Sequence, residues 1–135
     1  MNHGLIAVID NDDLDRYIYK KIILLTCPSY RFIDFSNGFD ALKYMRKNYN
    51  NAAALPDILL LDLRMPGLSG WQYLEQYDIL KKSLHKTTRH YLCSSSIERV
   101  DRRINNGSLN GYYIKPLSPQ NLREIIYDAE YNKAS

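Results

Sequence analysis

The stretch DILLLDLRMPGLSG, residues 57–70, begins with a continuous apolar run and ends in a segment containing Pro and Gly. A run such as ILLL, without alternation of apolar and polar residues, is typical of a strand covered on both faces, as in a parallel sheet. The run ends at Asp62, and Pro66, Gly67 and Gly70 predict a tight, shaped loop after it. The stretch therefore favours a buried strand that ends in an acid.

Four more short runs, rich in branched or aromatic residues, predict the other strands: LIAVI at 5–9, YRFIDF at 30–35, RHYLCS at 89–94 and GYYIK at 111–115. Five segments with helical character follow the strands in turn: LDRYIYKKIILL (14–25), GFDALKYMRKNY (38–49), GWQYLEQYDILKK (70–82), ERVDRRI (98–104) and SPQNLREIIYDAEY (118–131). Strand and helix alternate five times, which predicts an α/β fold with a parallel sheet and helices on both sides.

The helical spacing also predicts which side chains face the core. The first helix has an apolar stripe of Leu14, Tyr17, Ile18 and Ile22, and the second has Phe39, Leu42 and Met45. The segment KNYNNAAALPD at 47–57 is typical of a surface loop.

Composition limits the classes of function. A chain of 135 residues predicts one domain over 1–135, and a net charge of +3, from 18 basic and 15 acidic residues that are scattered, gives no case for nucleic-acid binding. Cys27 and Cys93 lack the spacing of a zinc site and are predicted to be buried hydrophobes. The N-terminus has neither a secretory signal nor a membrane span, so the expected location is cytoplasmic and no membrane partner is expected.

The first strand runs into VIDNDDLDRY, residues 8–17, where carboxylates accumulate. Asp is favoured at a helix N-cap and in the first turn, which accounts for Asp12, Asp13 and Asp15 but not for Asp10. Carboxylate clusters also hold hard cations such as Mg²⁺, and such a cation offsets the repulsion among the acids. From this stretch alone, helix capping and a cation site are equally good explanations.

Ligands of parallel α/β sheets bind at the carboxyl ends of the strands. Asp10, Asp62, Ser94 and Lys115 are predicted to share that edge. An Asp at this place can act as a nucleophile for a phosphoryl group if a divalent cation and fixed donors neutralise the transferred oxygens. The Ser94 hydroxyl, the backbone N–H groups of residues 94–96 and the Lys115 ammonium are the candidate donors, and Lys115-Pro116 permits a cis turn.

The motifs VIDNDD, LLLDLRMPGLSG, LCSSS and GYYIKPL, in this order, resemble those of the receiver domains of two-component response regulators, in the single-domain, chemotaxis-like form. The resemblance implies a flavodoxin-like (βα)5 fold, a doubly wound five-stranded sheet of order 2-1-3-4-5. It also implies Mg²⁺-dependent transfer of a phosphoryl group from a histidine kinase or phosphotransfer protein to an aspartate.

The resemblance assigns roles to individual residues. Asp62 matches the phosphoacceptor, Ser94 and Lys115 match the residues that contact the phosphoryl group, and Tyr112 matches the aromatic switch that moves with Ser94. Tyr113 is the adjacent alternative, because a one-residue shift exchanges the two faces of the strand. The metal ligands are Asp10, Asn11, Asp62 and the backbone carbonyl of Arg64, with Asp12 as a further candidate.

Asn11 departs from the family pattern, because receivers usually carry a second acid there. The site loses one negative charge, which predicts weaker Mg²⁺ binding. Arg64, two residues after the acceptor, occupies a position that varies in the family and influences how fast the phosphoryl group is lost.

Two functions remain open at this point. The first is a phosphorylation switch with self-phosphorylation and autodephosphorylation activity and no metabolic substrate, which signals through the surface of the fourth helix, fifth strand and fifth helix. Its partners are the kinase, a downstream effector protein and, on phosphorylation, a second copy of the chain; no output domain is expected within 1–135. The alternative is a degenerate receiver that binds a partner without phosphorylation, and Asn11 favours it.

Overall fold

The computed structural model describes residues 4–95 and 109–132. Five strands form one sheet: β1 (Gly4–Ile9), β2 (Tyr30–Phe35), β3 (Ile58–Leu61), β4 (Arg89–Ser94) and β5 (Leu109–Ile114). All four neighbouring pairs are parallel and the order is β2-β1-β3-β4-β5. The predicted α/β class, parallel sheet and strand order are confirmed.

Four α-helices are described: α1 (Asp13–Thr26), α2 (Gly38–Lys47), α3 (Gly70–Leu80) and α4 (Pro119–Tyr131). A short 3-10 helix, Lys81–Ser83, extends α3. The fourth predicted helix, at 98–104, lies outside the described residues, so α4 is the fifth helix of the prediction. Side chains cap the helices as their sequences suggest, because Ser69 and Ser118 each form a reciprocal capping box and Pro119 opens α4.

The sheet separates two apolar layers. On one face, Ala7, Ile9, Leu59 and Leu61 pack with residues of α2 and α3. On the other face, Ile6, Val8, Leu60 and Cys93 pack with residues of α1 and α4. Burial on both faces explains the continuous apolar character of β1 and β3, and both cysteines are buried as predicted.

The prediction that Leu14, Tyr17 and Ile18 of α1 face the core is wrong. Leu14 is 64% exposed, Tyr17 55% and Ile18 39%, whereas Tyr19 and Ile23 face the core. The physical reason lies in the first turn, where Asp15 and Arg16 reach polar groups at the sheet edge and so turn the apolar stripe outward.

The prediction for α2 is only partly correct. Leu42 and Met45 are buried, but Phe39 is 60% exposed. The predicted loop at 47–57 is irregular from residue 48, because Lys47 still belongs to α2. Leu55 within the loop is completely buried and joins the layer beneath α2 and α3. Within the described residues, no helix has the length and apolar character needed to cross a membrane.

Candidate functional site

Backbone hydrogen bonds fix the residues that follow the strands. The Asp10 N–H donates to the carbonyl of Phe35 at 3.1 Å, and the Asp62 N–H donates to that of Ile9 at 3.0 Å. The Lys115 N–H donates to the carbonyl of Ser94 at 2.8 Å. The sheet ladder therefore continues by one bond into the loops, which holds four of the predicted site residues at one edge.

The Lys115 ammonium lies among three carboxylates. Its Nζ is 2.7 Å from Asp10 Oδ2, 2.8 Å from Asp15 Oδ2 and 3.6 Å from Asp62 Oδ1. The first two are hydrogen bonds, whereas 3.6 Å is an ion-pair distance only. Burial by itself lowers the pKa of Lys115, but its hydrogen bonds to Asp10 and Asp15 and the charge of Asp62 outweigh burial and raise that pKa.

The buried Asp10 connects the site to the start of α1. Its Oδ1 accepts the Asp12 N–H at 2.9 Å, while its Oδ2 accepts from Lys115. Asp12 is the N-cap of α1 and accepts the Asp15 N–H at 3.0 Å. Helix capping and the strand-end site thus use different acids of one cluster, and Asp12, predicted to cap, does so.

Arg16 places a second cation beside the acids. Its guanidinium donates to the backbone carbonyl of Asp10 at 2.6 Å, pairs with Asp13 and lies 3.2 Å from Asp34 Oδ2. Arg16 and Lys115 therefore supply positive charge from within the chain, and part of the repulsion that suggested a bound cation is offset by these side chains.

Asp62 is a buried carboxyl in a constrained loop. Burial raises the pKa of Asp62, the charge of Lys115 opposes that rise, and the charge of Asp10 adds to it, so that the pKa stays above its ordinary value. The Arg64 N–H donates to the Asp62 carboxylate. Gly70 packs against this loop so closely that a Cβ there would lie 2.7 Å from the Asp62 carbonyl oxygen.

The other predicted residues lie in the strands and loops around this group. Ser94 is buried at the end of β4, while the side chains of Asn11 and Arg64 are exposed. Tyr112 is 42% exposed on β5, and Tyr113 packs on the opposite face of the sheet, against the layer of α1 and α4. The Lys115–Pro116 peptide bond is cis. Of the 94–96 loop, residue 96 lies outside the described residues.

Asp15 and Arg16 are site residues that the sequence pattern does not reveal. The pattern places Asp15 in the first helical turn and indicates no role for Arg16. Both stand within one turn of the N-cap, so a helix that starts at Asp13 necessarily brings some polar side chains toward the sheet edge. That proximity was the available signal, but the partner of Asp15 is 100 residues away in the chain.

Comparison with known proteins identifies the fold and the family. Residues 6–127 match the family described as response regulator receiver domain. The chain belongs to the response regulator receiver domain family. Receiver domains of this family are components of two-component signalling, which is therefore the system in which this domain takes part.

Two curated relatives illustrate the match. The receiver domain is 34% identical over 92 residues to a probable methanogenesis regulatory protein, FilR2, of Methanothrix harundinacea, with 67% of this chain and 57% of that protein covered. It is 32% identical over 125 residues to the nitrate/nitrite response regulator NarL of Escherichia coli, with 92% and 53% covered. The chain thus spans little more than half the length of these two relatives.

Solved structures support the fold. A two-component response regulator from Cytophaga hutchinsonii superposes with a TM-score of 0.87 at 21% identity and covers 98% of this chain and 100% of its own. The chemotaxis protein CheY4 of Vibrio cholerae gives a TM-score of 0.75 at 16% identity, with 93% and 98% covered.

The receiver domain offers oxygen donors rather than nitrogen or sulfur donors at this edge. The carboxylates of Asp10 and Asp62 lie around Lys115, with the amide of Asn11 and the carbonyl of Arg64 in the adjoining loops. Oxygen donors of this kind suit Mg²⁺. No group of three acidic, His or Cys side chains suited to a metal occurs in residues 4–95 and 109–132, so a cation here depends on amide, carbonyl and water oxygens as well.

Proposed function

We propose that this receiver domain is a phosphorylation switch that accepts a phosphoryl group on Asp62 from a histidine kinase or phosphotransfer protein. The observation that carries the proposal is the grouping of buried Asp62 and Asp10 with the Lys115 ammonium at the carboxyl edge of the sheet. A carboxylate nucleophile needs positive charge close by to accept a phosphoryl group that carries two negative charges, and Lys115 provides it.

The transfer conserves atoms and charge. An Asp62 carboxylate oxygen attacks phosphorus, the bond from phosphorus to the histidine nitrogen breaks, and that nitrogen keeps the electron pair. The product is an acyl phosphate on Asp62. Attack of water on the same phosphorus then breaks the new P–O bond and returns the carboxylate and inorganic phosphate, which ends the signal.

Mg²⁺ is the proposed cofactor, held by Asp10, Asp62, the Asn11 amide and the Arg64 carbonyl. It supplies charge neutralisation for the transferred oxygens when it is bound. The raised pKa of Asp62, due to burial and the neighbouring Asp10, supports a cation at this place because a cation relieves both effects. We assign Asp12 to the helix cap rather than to the metal, because its carboxylate accepts the Asp15 N–H.

The proposed output is a change of surface. The Ser94 hydroxyl moves toward the phosphoryl group, and the exposed Tyr112 ring turns inward into the space that this movement opens. The face around β5 and α4, with the fourth predicted helix, then presents a different surface to an effector protein or to a second copy of the chain. The proposed location is the cytoplasm, with neither nucleic acid nor membrane as a direct partner.

The second candidate function is a receiver that binds its partner without phosphorylation. Two observations favour it: Asn11 replaces an acid, and Lys115 is hydrogen-bonded to Asp10 and Asp15 rather than to Asp62. Retention of Asp62, Ser94 and Lys115 at one edge favours the switch, which is why the switch is our conclusion.

Intact-mass spectrometry after incubation with acetyl phosphate, with and without Mg²⁺, separates the two functions. The switch predicts a Mg²⁺-dependent phosphoryl adduct that hydroxylamine removes, as it removes acyl phosphates. Asp62→Asn must abolish the adduct. Asp78→Asn, which removes a carboxylate of α3 that pairs with Lys81, must leave the adduct intact. Absence of an adduct, together with no effect of Mg²⁺ on Trp71 fluorescence, refutes the switch and favours the interaction module.

A further inference from the structure

The position of Asp15 in α1 is unusual for a residue that contacts the site. Asp15 is the third residue of the helix after the N-cap Asp12, the place from which an acidic or amide side chain commonly returns to the N-cap N–H. Here Asp10 Oδ1 accepts that N–H at 2.9 Å. The Asp15 carboxylate turns to Lys115 instead, at 2.8 Å.

The contact affects how Lys115 is shared. An ammonium has three N–H donors, and two of them serve Asp10 and Asp15. Asp62 Oδ1 is 3.6 Å away, outside hydrogen-bond range. The third N–H is left for an anion on Asp62, but Asp10 and Asp15 hold the ammonium on the α1 side of the site. A move of Lys115 from 3.6 Å into hydrogen-bond range of the Asp62 side therefore lengthens one of these two bonds.

Of the two partners, Asp15 is the one that can release Lys115 at small cost. The Asp15 side chain is 34% exposed, whereas that of Asp10 is 1% exposed, so water can solvate Asp15 when its ion pair opens. We propose that Asp15 is a positioning residue that restrains Lys115 in the unphosphorylated domain, and that phosphoryl binding to Asp62 exchanges Asp15 for the phosphoryl oxygens. The proposal rests on the phosphoryl-accepting function of Asp62.

The restraint has a definite consequence. The energy of the Asp15–Lys115 contact is subtracted from the energy with which the site binds a phosphoryl group. Asp15→Asn keeps the shape of the side chain and removes its charge, so it should favour the phosphoryl-bound state. A partly exposed ion pair of this kind corresponds to a change of about two- to fivefold in affinity.

The test is a titration of the intact chain with beryllofluoride, which stands in for the phosphoryl group on a carboxylate, in the presence of Mg²⁺. Trp71 fluorescence or nuclear magnetic resonance of the backbone amides gives the dissociation constant. Asp15→Asn should bind beryllofluoride about two- to fivefold more tightly than the unaltered chain. Asp15→Glu keeps a carboxylate at this position, so its affinity should lie close to that of the unaltered chain.

Asp13→Asn is the matched control. Asp13 lies two residues earlier in the same turn of α1, has a side chain that is 93% exposed, and pairs with Arg16. The substitution Asp13→Asn removes the same charge from the same end of the helix without altering a contact to Lys115. The affinity of this variant for beryllofluoride should differ little from that of the unaltered chain.

The outcomes separate the two proposals. If the unaltered chain binds beryllofluoride but Asp15→Asn binds it no more tightly, or Asp13→Asn tightens binding equally, the positioning role is wrong and the phosphoryl-accepting function stands. If neither the unaltered chain nor the variants bind beryllofluoride and acetyl phosphate gives no adduct, the proposed function fails and the positioning role fails with it.

Discussion

Acidification should destabilise this receiver domain through one buried side chain, His90. The ring lies in the sheet layer beneath α3 and is completely buried. Its Nδ1 is 3.1 Å from the Thr88 carbonyl oxygen, which only accepts, so Nδ1 carries the proton. Its Nε2 is then the acceptor for the Tyr73 hydroxyl at 2.9 Å. The neutral ring satisfies both partners, and no solvent is available to a charged ring.

Burial lowers the pKa of His90 from 6.5 to about 3. Below pH 6.5 His90 binds a proton in the unfolded chain but stays neutral in the folded chain. Unfolding therefore becomes more favourable as the pH falls. The effect is absent at pH 7.5 and ceases to grow near pH 3. At about pH 4.5 the two pH units below the unfolded pKa correspond to about 2.7 kcal/mol, at about 1.36 kcal/mol per unit.

Urea denaturation followed by circular dichroism from pH 7.5 to pH 4.5 measures this loss. Carboxylates add their own pH dependence, so the decisive quantity is the difference between the unaltered chain and His90→Gln, which no longer titrates. His90→Gln should start less stable at pH 7.5 but lose about 2.7 kcal/mol less by about pH 4.5. His85→Gln, at an exposed histidine, is the matched control and should follow the unaltered chain.

Parallel stability curves for the unaltered chain and His90→Gln would refute the reasoning. A second measurement does not depend on the variant. In nuclear magnetic resonance spectra of the folded chain, the His90 ring should not titrate between pH 7.5 and pH 4.5, and its proton should reside on Nδ1. A ring that titrates near pH 6 would show that water reaches His90 and that burial does not control the pKa of this ring.

Two further predictions concern the site itself. Gly70→Ala should lower the free energy of unfolding in urea by about 1–3 kcal/mol and reduce the yield of the acetyl phosphate adduct. The reason is that its Cβ would lie 2.7 Å from the Asp62 carbonyl oxygen and 2.9 Å from Leu63 Cα. Unchanged stability and an unchanged adduct would contradict the tight packing. Asn11→Asp should tighten Mg²⁺ binding on the order of tenfold in a titration followed by Trp71 fluorescence, because it adds a negative charge beside a divalent cation; unchanged affinity would remove Asn11 from the metal site.

The sheet could be predicted from the sequence because its signal is local and strong. Strands that are buried on both faces must be apolar at every position, and Ile58–Leu61 satisfies that requirement with four buried residues. Strand-to-helix alternation then leaves few topologies, and the edge at which Asp10, Asp62, Ser94 and Lys115 gather follows from the parallel arrangement alone.

The outward face of α1 could not be predicted in the same way. Apolar spacing selects Leu14, Tyr17 and Ile18, yet these side chains are exposed and Tyr19 and Ile23 are buried. The spacing of apolar residues shows which side chains share one face of a helix. It does not show whether the part of the sheet next to that helix is apolar or polar. Beside α1 the sheet edge presents Asp10 and Lys115, so the side chains of Asp15 and Arg16 face that edge.

The side-chain partners of Lys115 could not be predicted from the sequence for a different reason. The sequence places Lys115 at the same edge as Asp62, but which carboxylates the ammonium contacts depends on which of them already accept other hydrogen bonds. Asp12 is occupied as the N-cap, and Asp10 Oδ1 by a backbone N–H. These contacts are set by loop geometry and not by residue type, so Asp15 became a partner of Lys115 although its spacing indicated a helix start.

The crowding of acids after β1 therefore has one physical explanation with two parts. Asp10 accepts the N–H of the residue that caps α1 through one oxygen and the Lys115 ammonium through the other. Because both bonds belong to a single buried carboxylate, the start of α1 and the position of Lys115 are fixed together. Helix capping and the charged site are then not alternatives, since the cap positions the acid and the acid positions the cation.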